Sequence, residues 1–137
     1  MSGRWDWDAI RAGATVALVF AVPFSIAARW AADSNDTAIA VWLSLGAVLG
    51  FVLGAGCAAW VQRTDTPLSH GLVTAIGTYL AAQAVFAVVR VLRGHDVRWF
   101  AIMFNLAVVL GAGLLGGLLG QILRSRGVLP GSRGTKA

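Results

Sequence analysis

Glutamate is absent from this 137-residue chain, lysine and cysteine occur once each (Lys136, Cys57), and charged residues make up only 12% of the total. A lone cysteine excludes an intrachain disulfide scaffold. Soluble domains carry about a quarter charged residues, so this composition excludes an ordinary water-soluble enzyme, and its apolar richness excludes a disordered chain. The acids are Asp6, Asp8, Asp33, Asp36, Asp65 and Asp96. None falls deep in an apolar run, no Ser/His/Asp set shares one depth, and no phosphate-cradling glycine loop follows a strand. His95-Asp96 falls short of the three or four ligands that a metal site needs. No catalytic residue, cofactor or metal is expected.

What is there is apolar: 58% hydrophobic residues and a mean hydropathy of +0.75. Four stretches, 12–32, 37–62, 71–92 and 99–123, each reach the ~20 residues that a helix needs to cross a hydrocarbon core about 30 Å thick. Backbone polar groups in lipid must be satisfied within the segment, which favours helices over open strands. The expected fold is an all-α membrane protein: a four-transmembrane-helix antiparallel bundle over 1–124, followed by a basic, flexible tail over 125–137. Pro23 is expected to kink the first span. Asp6 and Asp8 make a poor positive leader, so that span reads as a retained helix, not a signal peptide.

Basic residues set the expected orientation. Arg4, Arg11, Arg63, Arg124, Arg126, Arg133 and Lys136 share one side, against Arg29, Arg90, Arg93 and Arg98 on the other. The positive-inside bias then puts both termini in the cytoplasm. A net charge of +5 would point a soluble domain toward nucleic acid. Here the charges edge the apolar runs, so anionic lipid head groups are the expected partners and nucleic acid is not. Arg124, Arg126, Arg133 and Lys136 are the expected head-group contacts. Trp5, Trp7 and Trp60 fall toward one interface and Trp30, Trp42 and Trp99 toward the other; Trp42 lies deeper and is also a candidate for packing between helices.

Glycines form two rows. Gly46, Gly50, Gly54 and Ala58 repeat every fourth residue in span two; Ala112, Gly116 and Gly120 do so in span four, with Gly113 and Gly117 beside them. Such faces let helix backbones approach closely, gaining van der Waals contact that lipid cannot match. They are expected to pack spans two and four together, or to form a seam with a second copy or another membrane protein. A possible 2+2 parallel repeat also shows at an offset of 61 residues, where Val48-Leu49-Gly50 aligns with Val109-Leu110-Gly111 and Arg63 with Arg124.

Intramembrane polar groups are costly and so mark functional candidates. Tyr79, Gln83 and Arg90 share one face of span three, and Asn105 lies in span four. These four are a candidate polar cavity; the plainer reading has the amides bonding across helices and Arg90 snorkelling. His70, in Pro67-Leu68-Ser69-His70-Gly71, reads as part of a helix start. Buried in an apolar span, Cys57 reads as an inert thiol.

Gly50-Phe51-Val52-Leu53-Gly54-Ala55-Gly56, Ala58-Ala59-Trp60 and Pro67-Leu68-Ser69-His70-Gly71, with the glycine-rich end of span four, resemble small uncharacterised four-span integral membrane proteins of bacteria, of actinobacterial type. That resemblance implies no activity. Two other four-span families do not match. Small multidrug resistance transporters need a first-span glutamate, and double-barrelled fluoride channels need a Thr/Ser/Phe track in the third helix. The abundance of Ala, Gly, Val and Arg suggests a GC-rich bacterial genome, and the expected location is the bacterial cell membrane. The expected function is that of a non-enzymatic interaction or accessory subunit acting through glycine-faced helices. The alternative is a small oligomeric transporter or channel for a small solute or anion, whose four polar side chains would converge on one water-accessible cavity.

Overall fold

The computed structural model describes residues 4–130, and Arg133 and Lys136 lie outside them. It is all-helical, with α1 (Trp7–Asp33), α2 (Thr37–Val61), α3 (Pro67–Leu92) and α4 (Trp99–Ser125). Each helix is long and apolar enough to cross a membrane. At 25–27 residues and 1.5 Å per residue they run about 38–40 Å, enough for the hydrocarbon core and part of the head-group layers.

Local chemistry fixes the ends. Asp6 Oδ1 accepts from the Ala9 N–H (3.2 Å) and Asp36 Oδ1 from the Ile39 N–H (3.2 Å), each satisfying a first-turn donor. α1 therefore starts at Trp7, five residues before the apolar run. Pro67 occupies the first turn of α3, where its missing N–H has no cost, and α3 starts four residues before the expected boundary. Asn35, Gly94 and Gly127 take positive φ after α1, α3 and α4. Each is followed by the paired backbone bonds of a Schellman motif, such as His95 N–H to the Arg90 carbonyl and Gly94 N–H to the Val91 carbonyl. The last of these motifs, with a bond from the Trp60 indole to the Val128 carbonyl (2.6 Å), ties down the beginning of the expected tail. α1 runs helical through Pro23.

Packing centres on α2. α2 touches all three other helices and α3 does likewise, whereas α1 and α4 do not pack on each other. The core is small-residue chemistry: Ala17, Ala21, Ala47, Ala55, Ala75 and Ala112 are buried with Phe51, Tyr79 and Val109. Leucine, valine, phenylalanine and tryptophan face outward in number, Leu92 at 81% and Phe100 at 85% exposure among them. A water-soluble monomer does not present so wide an apolar exterior. In lipid this exterior costs nothing, and small residues inside bring backbones together. Trp42 is exposed, so it faces the surroundings and does not pack between helices.

Candidate functional site

The glycine rows are both consumed inside the chain, by different neighbours. A β-carbon built on Gly50 would stand 2.8 Å from Phe20 Cβ, and one on Gly54 would stand 2.6 Å from Ala17 Cβ. Gly46 faces the Phe24 ring, and Ala58 lies across from Gly13. The α2 row thus seats α1, not α4. The α4 row uses another face of α2: Gly116 lies against Ala55 and Gly56, and Gly120 against Ala59 and Trp60. Gly113 and Gly117 turn to α3, meeting Ala75 and Leu68. Ala112 is buried in the shared core. Gly71 and Gly13, which the sequence reading passed over, complete these contacts from α3 and α1.

At one end of the bundle, the first residues of α1 and α3 meet the last of α2 and α4 in a polar knot. His70 is fully buried. Its Nε2 lies 2.9 Å from the Asp6 backbone N–H. A backbone N–H only donates, so Nε2 accepts. The proton of the neutral ring then sits on Nδ1, which donates to the Thr66 carbonyl at 2.9 Å. Trp5 covers the imidazole, with ring centroids 5.3 Å apart. Asp6 Oδ2 accepts from the Arg63 N–H (3.0 Å), so one aspartate holds the α1 start to the α2–α3 linker and to α3. Gln62, also buried, takes the Thr64 N–H (2.7 Å) and hydroxyl (3.1 Å) on Oε1. Arg124 donates to the Gln62 carbonyl and pairs with Asp65 at 3.0 Å. Gln62 Nε2 and Thr74 Oγ1 are buried without a partner. The sequence reading placed His70 at a helix start and missed its burial. No local pattern links it to Asp6, 64 residues away in the chain.

The other four candidates lie toward the opposite end. Tyr79 is buried; its hydroxyl donates to the Ile102 carbonyl (2.9 Å) beside Asn105, and its ring meets Phe51 edge-on at 6.2 Å. Gln83 is half-buried and Asn105 exposed. Arg90 Nε donates to the Asp96 carbonyl (3.2 Å) in the α3–α4 linker. Eleven residues separate Tyr79 from Arg90, about 16 Å along the helix. A shallow groove at this end is lined by Ala87, Val88, Val91, Leu92, Val97 and Trp99, and none of the four lines it. A second depression, at the knot, is lined by Asp65–Ser69 and Gln121. Of the expected head-group residues, Arg124 is engaged within the protein and Arg126 is exposed. Cys57 is a half-buried free thiol. Among the described residues no group of three or more His, Cys or Asp side chains is placed to hold a metal ion.

No protein-family model matches the chain, and neither a curated protein nor a solved structure does.

Proposed function

We propose that the chain is a non-enzymatic integral membrane protein acting as an interaction or accessory subunit. Its glycine-faced helices form the rigid body, and the half of α3 and α4 away from the knot receives a partner's transmembrane helix. The observation that carries this reading is where burial stops. Buried residues of α3 end at Tyr79, and those of α4 begin at Val109. Beyond them Gln83 and Asn105 stand among exposed apolar side chains. An amide in hydrocarbon seeks a hydrogen bond, and a neighbouring helix supplies one where lipid cannot. The partner helix belongs to another membrane protein or to a second copy of this chain.

In this reading the four helices alternate in direction, both termini lie in the cytoplasm, and the membrane is the bacterial plasma membrane. Arg126, Arg133 and Lys136 add attraction to anionic head groups there. The spread of Tyr79, Gln83, Arg90 and Asn105 along the bundle gives the transporter alternative less support. The test is co-purification in mild detergent. Membrane proteins retained by the wild-type chain, or self-association of it, are expected to be lost from Q83L/N105L while its unfolding midpoint holds. Retention of the same proteins by Q83L/N105L would overturn the reading, as would proteoliposome flux abolished by Q83L/R90A.

A further inference from the structure

The two ends of the bundle treat their arginines differently. At the knot, Arg124 is engaged by Asp65 and the Gln62 carbonyl, the one ion pair among the described residues. At the far end, Arg90, Arg93 and Arg98 stand within nine residues of one another with a single aspartate, Asp96, among them. The Asp96 carboxylate pairs with none of the three. Arg90 spends its Nε on the Asp96 carbonyl, while Arg93 and Arg98 are exposed. The segment keeps an uncompensated positive charge at the edge of the apolar surface.

Directly under it runs the apolar groove. Its walls are the last turns of α3 (Ala87, Val88, Val91, Leu92) and the entry to α4 (Val97, Trp99). Arg93 follows Leu92 in the chain, and Arg98 lies between Val97 and Trp99, so both exposed arginines branch from backbone that borders the groove's lining. Positive charge at the rim and a wholly apolar trough below match the two parts of one molecule. We infer that this end binds an anionic glycerophospholipid. One acyl chain lies along Val88, Val91 and Leu92, the phosphate meets Arg93 and Arg98, and the Trp99 indole sits at the level of the glycerol, where tryptophan is favoured. Guanidinium groups suit phosphate through paired N–H donors. The groove lies in the same half of α3 and α4 as the proposed partner face but nearer the helix ends. Neither Gln83 nor Asn105 lines it, and the lipid reading does not depend on a partner helix.

The test uses the full chain in phosphatidylcholine vesicles carrying trace spin-labelled phosphatidylglycerol or spin-labelled phosphatidylcholine, with the motionally restricted fraction read by electron spin resonance. The wild-type chain is expected to restrict the anionic label several-fold more strongly than the zwitterionic one. R93Q/R98Q should cut that preference by about fivefold or more. R11Q/R63Q, which removes as many charges from exposed positions at the other end, should keep it. Val88→Trp, which fills the trough, should lower restriction of the anionic label with both arginines in place. Equal restriction of the two labels by wild type, a preference surviving R93Q/R98Q, or one lost equally in R11Q/R63Q would overturn the site. Displacement of the label by excess inorganic phosphate would show a free-anion site in place of a lipid site, and would overturn it as well.

Discussion

The end of the bundle that holds His70 and the end that holds Trp99 are made from the same four helices by opposite means. At the first, glycine and alanine let backbones touch, and Asp6, Gln62, Arg63, His70 and Arg124 are bonded across chain separations of 57 to 64 residues. At the second, burial ceases in α3 and α4 while Ala28 and Ala31 keep α1 packed, large apolar side chains point outward, and the arginines have no carboxylate partner. A membrane protein can afford both arrangements because lipid removes the penalty on exposed apolar surface. The difference separates what the chain does for its own stability from what it leaves open to its surroundings.

Substitutions can break that contrast, and the largest effect is expected in the α1–α2 seam. Gly54→Leu would drive a side chain into Ala17, whose Cβ and backbone N would stand 2.6 Å and 3.0 Å from the new β-carbon. A loss of about 3 kcal/mol or more, or failure to fold, is expected, measured as the unfolding midpoint in mixed micelles. His70→Ala should follow at about 2–3 kcal/mol, since it leaves the Asp6 N–H unpaired and empties a packed site beneath Trp5. A His70→Ala midpoint equal to wild type would dissolve the distinction between the ends. Arg124→Gln should cost about 1 kcal/mol at most, because the Asp65 carboxylate is exposed and screened. The smallest effects belong to Gly77→Leu and Gly111→Leu. A β-carbon at either meets nothing within 4 Å, so midpoints within about 0.5 kcal/mol of wild type are expected. Any larger loss at Gly77 or Gly111 would mean that these faces are packed as tightly as Gly54.

The four spans were legible because bilayer thickness is a length requirement, and a run of apolar residues meets it or does not. Glycine rows were legible as close-approach faces for the same kind of reason. Which neighbour each row would meet was not. A helix apolar on nearly all sides carries no amphipathic stripe to point at its core, so Gly50 and Gly54 were expected against α4, a second copy or another membrane protein, and instead meet α1. The boundaries at Trp7 and Pro67 slipped because capping by Asp6 and Pro67 extends a helix beyond its apolar run. His70 was the costliest miss. Locally it is one polar residue in a helix start, and its burial comes from Trp5 and Asp6, whose proximity no local pattern encodes.

The bond between the Asp6 N–H and His70 also sets an order of assembly. α1 and α2 can associate through Gly13, Gly50 and Gly54 as soon as both are made. The start of α1 waits for α3 to deliver the imidazole, and the Gln62 carbonyl waits longer, for Arg124 at the end of α4. The knot thus closes with the last helix to be synthesised, and a chain stopped before α4 would hold its first seam without its seal.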